Sequence, residues 1–157
     1  MISKCSFKGN GKGQSQSAGL FSRMGNTVVQ KCTFNSLKAG GIIAQLTDQT
    51  NFVCRDNAFV SCLSAGLYLE ATMPTVPFIL HNVFMVCKCR AIVLNRHVNA
   101  FVALNELQIN DVALDLTNND SILFGNRIQK SHSNGITVRC TAWMKASKMS
   151  KQDSIDY

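Results

Sequence analysis

Few side chains in this 157-residue sequence combine a reactive type with a spacing that could do chemistry. Glu70 and Asp115 are the acids that matter, because two carboxyl groups about 5–9.5 Å apart on one groove would suit glycoside hydrolysis. His81, Cys87 and Cys89 are metal-ligating types, but packed thiols and a turn histidine explain them more simply. His97 and His132 have no partnered nucleophile nearby in the pattern. Residues 9–17 read GNGKGQSQS. They lack the Gly-Lys-Ser/Thr ending of a phosphate loop, so a flexible loop is expected. The Gly-Gly-x-Gly-x-Asp calcium repeat is absent as well. The sequence assigns no catalytic residue, metal ligand or cofactor.

A repeat must position these groups. Asparagine recurs with an apolar residue two places on, at Asn57 and Phe59, Asn82 and Phe84, Asn105 and Leu107, and Asn126 and Ile128. Cys5 with Phe7 and Cys32 with Phe34 occupy the same slot upstream. Each match is followed by a small residue and an alternating strand. These small residues are Gly19, Gly41, Gly66, Ala91, Ala113 and Gly135, spaced 22, 25, 25, 22 and 22 apart. A fixed period near that length marks one structural unit stacked on itself. Each unit reads as three short strands bounded by Gly, Asn and Ser, with no sustained helical spacing before residue 140.

Strand alternation then sorts inward from outward positions. The inward pairs of the last strand are Leu20/Ser22, Ile42/Ala44, Leu67/Leu69, Ile92/Leu94, Leu114/Leu116 and Ile136/Val138. Phe34, Phe59, Phe84, Leu107 and Ile128 form a second inward column. Asn57, Asn82, Asn105 and Asn126 are expected to stack as a hydrogen-bonded ladder at a tight turn. An unpartnered buried amide would cost about 1–3 kcal/mol, and Asn tolerates left-handed backbone there. With cysteine in the first two coils, the ladder should be weaker at that end.

Outward, Glu70 and Asp115 fall two coils and two residues apart, roughly 12 Å between Cα atoms at strand spacings. That is a poor carboxylate pair, so no enzyme activity is expected. Phe21, Ile43, Tyr68 and Val93 instead predict an exposed apolar stripe across four coils, a candidate protein contact. Carbohydrate stacking on Tyr68 or Phe21 is the weaker reading, because few polar groups surround them in the pattern.

The Asn-x-apolar then small-apolar-x-apolar pattern over residues 1–140 resembles right-handed parallel β-helices. The expected fold is an all-β, single-stranded solenoid of about six coils with an asparagine ladder. The pattern looks most like the β-helix repeats of F-box ubiquitin-ligase subunits and Shc-binding β-helix proteins. It is also similar to pectate-lyase-like carbohydrate enzymes. The first resemblance implies a non-catalytic protein-binding or scaffolding module in a larger cytoplasmic assembly, cytoskeletal or ciliary. The second implies the alternative, a carbohydrate-active protein with a degenerate groove. A fold hosts many activities, so these remain implications.

Bulk properties frame the partners. Apolar residues are 46% of the chain, against disorder, and no run of 18 or more apolar residues exists to span a membrane. The first residues lack the apolar centre of a signal peptide. Seven cysteines without paired C-x-x-C spacing favour packed thiols in a reducing compartment. Cys5 with Cys32, and Cys62 with Cys87, nevertheless fall on neighbouring coils within disulfide reach. A net charge of +7 suits an acidic protein surface such as a microtubule-associated filament. The charges are scattered, which makes nucleic acid a poor candidate. The expected organisation is a β-helix over 1–140 and a cap or tail over 141–157, where Trp143, Ala146 and Met149 have helical spacing. Uncapped β-helix edges would also permit end-to-end association.

Overall fold

A computed structural model describes residues 1–9, 18–117 and 120–139. Both the glycine-rich loop beyond Gly9 and the expected cap over 141–157 lie outside the described residues. The chain winds through three sheets, each of six parallel strands. The first sheet holds β1 (Ile2–Ser3), β4 (Thr27–Gln30), β7 (Phe52–Arg55), β10 (Phe78–Leu80), β13 (Phe101–Ala103) and β16 (Ile122–Phe124). The second holds β2 (Ser6–Lys8), β5 (Thr33–Asn35), β8 (Ala58–Val60), β11 (Val83–Met85), β14 (Glu106–Gln108) and β17 (Arg127–Gln129). The third holds the longer strands β3 (Ala18–Arg23), β6 (Gly40–Leu46), β9 (Ala65–Ala71), β12 (Arg90–Leu94), β15 (Val112–Thr117) and β18 (Asn134–Arg139).

Register follows the repeat. Phe7, Phe34, Phe59, Phe84, Leu107 and Ile128 pair in succession across the second sheet. The phenylalanine rings stack face to face, with centroids 4.8, 4.8 and 4.5 Å apart. The inward pairs of the third sheet are fully buried from Ile42/Ala44 through Ile92/Leu94. Ile136 and Val138 are exposed, because no described coil lies beyond β18. Like residues thus bury like residues along one axis, a core that no single coil could form.

The asparagines form the expected ladder. Asn57 donates from both its backbone N–H and its Nδ2 to Asn82 Oδ1, each at 3.0 Å. Asn82 does the same to Asn105, and Asn105 to Asn126. Each amide also donates to a carbonyl of the preceding coil: Val29, Cys54, Ile79 and Val102. Cysteine continues the ladder with one atom. Cys5 N–H donates to Cys32 Sγ at 3.4 Å, while that thiol reaches Ile2 O at 3.9 Å. These are the two roles that an amide divides between oxygen and nitrogen, made at longer range.

One detail differs from expectation. The left-handed residue is not the asparagine but the one before it: Asp56, His81 and Leu104 have φ of 55°, 52° and 56°, and Gly125 has 60°. The preceding residue makes the corner, which turns the following amide inward along the axis. A second corner repeats the device at Ser36, Ser61, Val86, Ile109 and Lys130.

That second corner carries a shorter ladder that the asparagine pattern did not reveal. Asn110 is fully buried, accepts from Cys87 N–H at 2.9 Å and donates to Phe84 O at 3.1 Å. Its column runs through Leu37, Cys62 and Cys87, each three residues after an inward phenylalanine. The six described cysteines are unbridged. Cys62 and Cys87 neighbour one another in this column: the Cys62 thiol and burial push the Cys87 thiol up, whereas the Cys87 thiol lowers that of Cys62 against the opposing effect of burial.

Candidate functional site

The outer face of the third sheet brings the outward residues into register. Phe21, Ile43, Tyr68, Val93, Asp115 and Thr137 align strand by strand, as do Arg23, Gln45 and Glu70 beside them. Parallel pairing with no slip makes columns of these positions.

The apolar stripe is shorter than the four coils expected. Phe21 is 58% exposed, Ile43 and Tyr68 are half-buried, and Val93 is only 8% exposed. Val93 sits in register between Tyr68 and Asp115, whose side chains stand on either side of it. Of the four stripe residues only Phe21 is therefore well exposed, and Met24, just past the end of β3, is exposed beside it.

Tyr68 is more polar in its surroundings than the sequence suggested. Its hydroxyl donates to Glu70 Oε2 at 2.9 Å and accepts from Asn95 Nδ2 at 3.0 Å. Gln45 Nε2 donates to the other carboxylate oxygen, Oε1, at 2.8 Å. Burial raises the Tyr68 phenol above its ordinary value; the Asn95 donor opposes this and the Glu70 carboxylate adds to it. Gln45, Glu70 and Asn95 of this network line a groove of about 360 Å³ that also takes in Arg23, Met24, Leu46 and Arg96.

Glu70 and Asp115 are not brought together. Asp115 lies on β15, separated from Glu70 by the whole of β12. Arg90 Nε reaches its Oδ2 at 2.6 Å and Arg139 Nη2 at 3.1 Å. The carboxylate is buried and its Oδ1 has no hydrogen-bond partner. Each acid is therefore engaged by its own separate set of neighbours, an arrangement that stiffens the sheet face.

The remaining candidates do not converge. Cys87 is buried at the second corner, whereas His81 is exposed at the corner before β11. Among the described residues no three His, Cys, Asp or Glu side chains are grouped to hold a metal. A shallow cavity of about 400 Å³ at the second corner places Asp111 and His132 near Cys87 and Lys88. Alternation along the third strand of each coil is enough to place Arg23, Gln45, Glu70 and Asn95 in one outward column. It missed Arg96, whose position one residue past that column gave no periodic signal.

The family described as right handed beta helix region matches residues 1–107, more than half of the chain. No curated protein matches the chain, and no solved structure does. With its three parallel sheets, in-register coils and asparagine ladder, this chain belongs to the right-handed β-helix family.

Proposed function

We propose that this protein is a non-catalytic protein-binding or scaffolding module whose contact face is the outer surface of the third sheet. One observation carries the reading: Phe21 and Met24 stand exposed on that face, while its two acids are held apart in separate networks. A rigid solenoid flank costs little conformational entropy on binding, because its side chains are already ordered by the sheet. The resemblance to F-box and Shc-binding β-helix repeats supports a cytoplasmic assembly, cytoskeletal or ciliary, and the net charge of +7 suits an acidic filament.

The test is Phe21→Asp in the full chain. The residue is exposed, so the coil should survive, with an unchanged circular dichroism spectrum and melting temperature. Partners retained by the wild type in proximity labelling and pull-down should be lost. Tyr68→Asp should do the same by placing a second carboxylate beside Glu70. Unchanged partners in both variants would overturn the reading.

The carbohydrate alternative draws on the polar network around Tyr68. Sugar binding or turnover by the purified protein, abolished by Glu70→Gln or Asp115→Asn, would replace the scaffold reading. Self-association that depends on concentration and is removed by a proline in the first coil would instead favour an end-to-end architectural role.

A further inference from the structure

The groove beside Tyr68 has a charge order that specifies what kind of partner fits it, given a protein-contact role for this face. Arg23, Glu70 and Arg96 present positive, negative and positive groups in sequence along the coil axis. Among the described residues, no hydrogen bond or ion pair engages either the Arg23 or the Arg96 guanidinium. Glu70 differs: donors from Gln45 and Tyr68 hold both of its oxygens in place. Coils stack about 4.8 Å apart, so the three steps from Arg23 to the coil of Arg96 span roughly 14 Å. An extended peptide covers that distance in about four residues, and its residues i, i+2 and i+4 face the same side.

We propose that this groove binds an extended acidic segment of a partner protein. Its carboxylates at i and i+4 pair with Arg23 and Arg96, and a lysine at i+2 extends its flexible chain about 3 Å along the axis to meet Glu70. Arginine suits this task because its planar fork pairs a carboxylate through two parallel hydrogen bonds. The pattern also discriminates against regular polyanions. A uronate chain or a nucleic-acid strand carries a negative group on every unit, so one of them would be forced against Glu70. A peptide can leave that position uncharged.

The experiment uses fluorescence anisotropy with the full chain at low salt and three labelled probes. These are the peptides Leu-Asp-Ala-Lys-Ala-Asp-Ala and Leu-Asp-Ala-Asp-Ala-Asp-Ala, and an oligouronate of matching length. The lysine-centred peptide should bind saturably and tightest. Arg23→Ala and Arg96→Ala should each weaken it about tenfold, the scale of one lost charge-assisted pair. Glu70→Gln should reverse the preference toward the aspartate-centred peptide. Equal affinity for the two peptides, indifference to both arginine substitutions, or tighter binding of the oligouronate would overturn the proposal. If Phe21→Asp releases the native partner while the arginine variants keep it, the flank contact stands and the acidic-segment groove falls. If the arginine variants lose the peptide while Phe21→Asp keeps the native partner, the groove stands and the flank contact falls.

Discussion

Gly66 lies directly against Phe84, the inward aromatic of the next coil: a β-carbon built on Gly66 would come within 2.7 Å of Phe84 Cδ1. The same holds for Gly41 against Phe59 at 2.6 Å and for Gly19 against Phe34 at 2.9 Å. Where the next coil supplies a smaller inward residue, Leu107 or Ile128, the small position carries alanine, at Ala91 and Ala113. The repeat thus conserves summed volume inside the solenoid rather than residue identity, as close packing requires.

Gly66→Ala should therefore destabilise the fold by about 1–3 kcal/mol, the usual cost of overpacking. Combining it with Phe84→Leu should recover part of the loss, so that the double variant is less damaging than the sum of the two. Urea unfolding of the four proteins measures this coupling. Strict additivity would mean that the contact is relieved elsewhere.

The ladder makes a graded expectation. Asn57→Ala leaves Cys32 N–H without its acceptor and Val29 O without its donor. With both groups buried, the loss should be about 3 kcal/mol. Asn57→Cys should cost about 1 kcal/mol less, because Cys32 shows that a thiol at this slot serves both functions at longer distance. Equal midpoints for the two variants in chemical denaturation would contradict this account.

Val86 is a β-branched residue in left-handed backbone, φ 57°, at the second corner. Such a conformation costs an L-residue about 1–2 kcal/mol, and asparagine adopts it far more readily. Val86 is 36% exposed, so little burial is lost on substitution. Val86→Asn should stabilise the protein by about 1 kcal/mol, raising the melting temperature. A lower melting temperature would show that the valine side chain is needed for packing at this corner.

Alkaline conditions should unfold the chain through Cys54. Burial pushes its thiol up from 9.0 to about 12, partly opposed by a hydrogen bond from Asn57. A raised folded-state value means that the native state holds the proton more tightly than the unfolded chain. The stabilisation is complete below pH 9.0 and is lost as pH rises toward about 12. Its full size is on the order of 4 kcal/mol. Cys54→Ala should flatten the fall in stability across that window, as read from melting temperatures at stepped pH. An identical slope in the variant would assign the alkaline sensitivity to other groups.

The sequence by itself determined the coil. The spacing of the small residues, the inward columns and the ladder from Asn57 to Asn126 were all legible, because alternation within a strand is local and stacking then repeats it. Tertiary structure alone decided the outside. Val93 and Phe21 are equivalent in the repeat, yet one is buried and the other exposed. Their difference depends on the side chains that neighbouring coils supply, which no periodic pattern encodes. The same cause hid Asn110, whose column also holds leucine, cysteine and serine, and hid Arg96, which joins Glu70 and Arg23 only when four coils are stacked. It also displaced the left-handed corner onto the residue before each asparagine, since the amide must turn inward to meet its partner. An inward side chain is specified by its own strand, whereas an outward one takes its role from residues some 22–25 positions away.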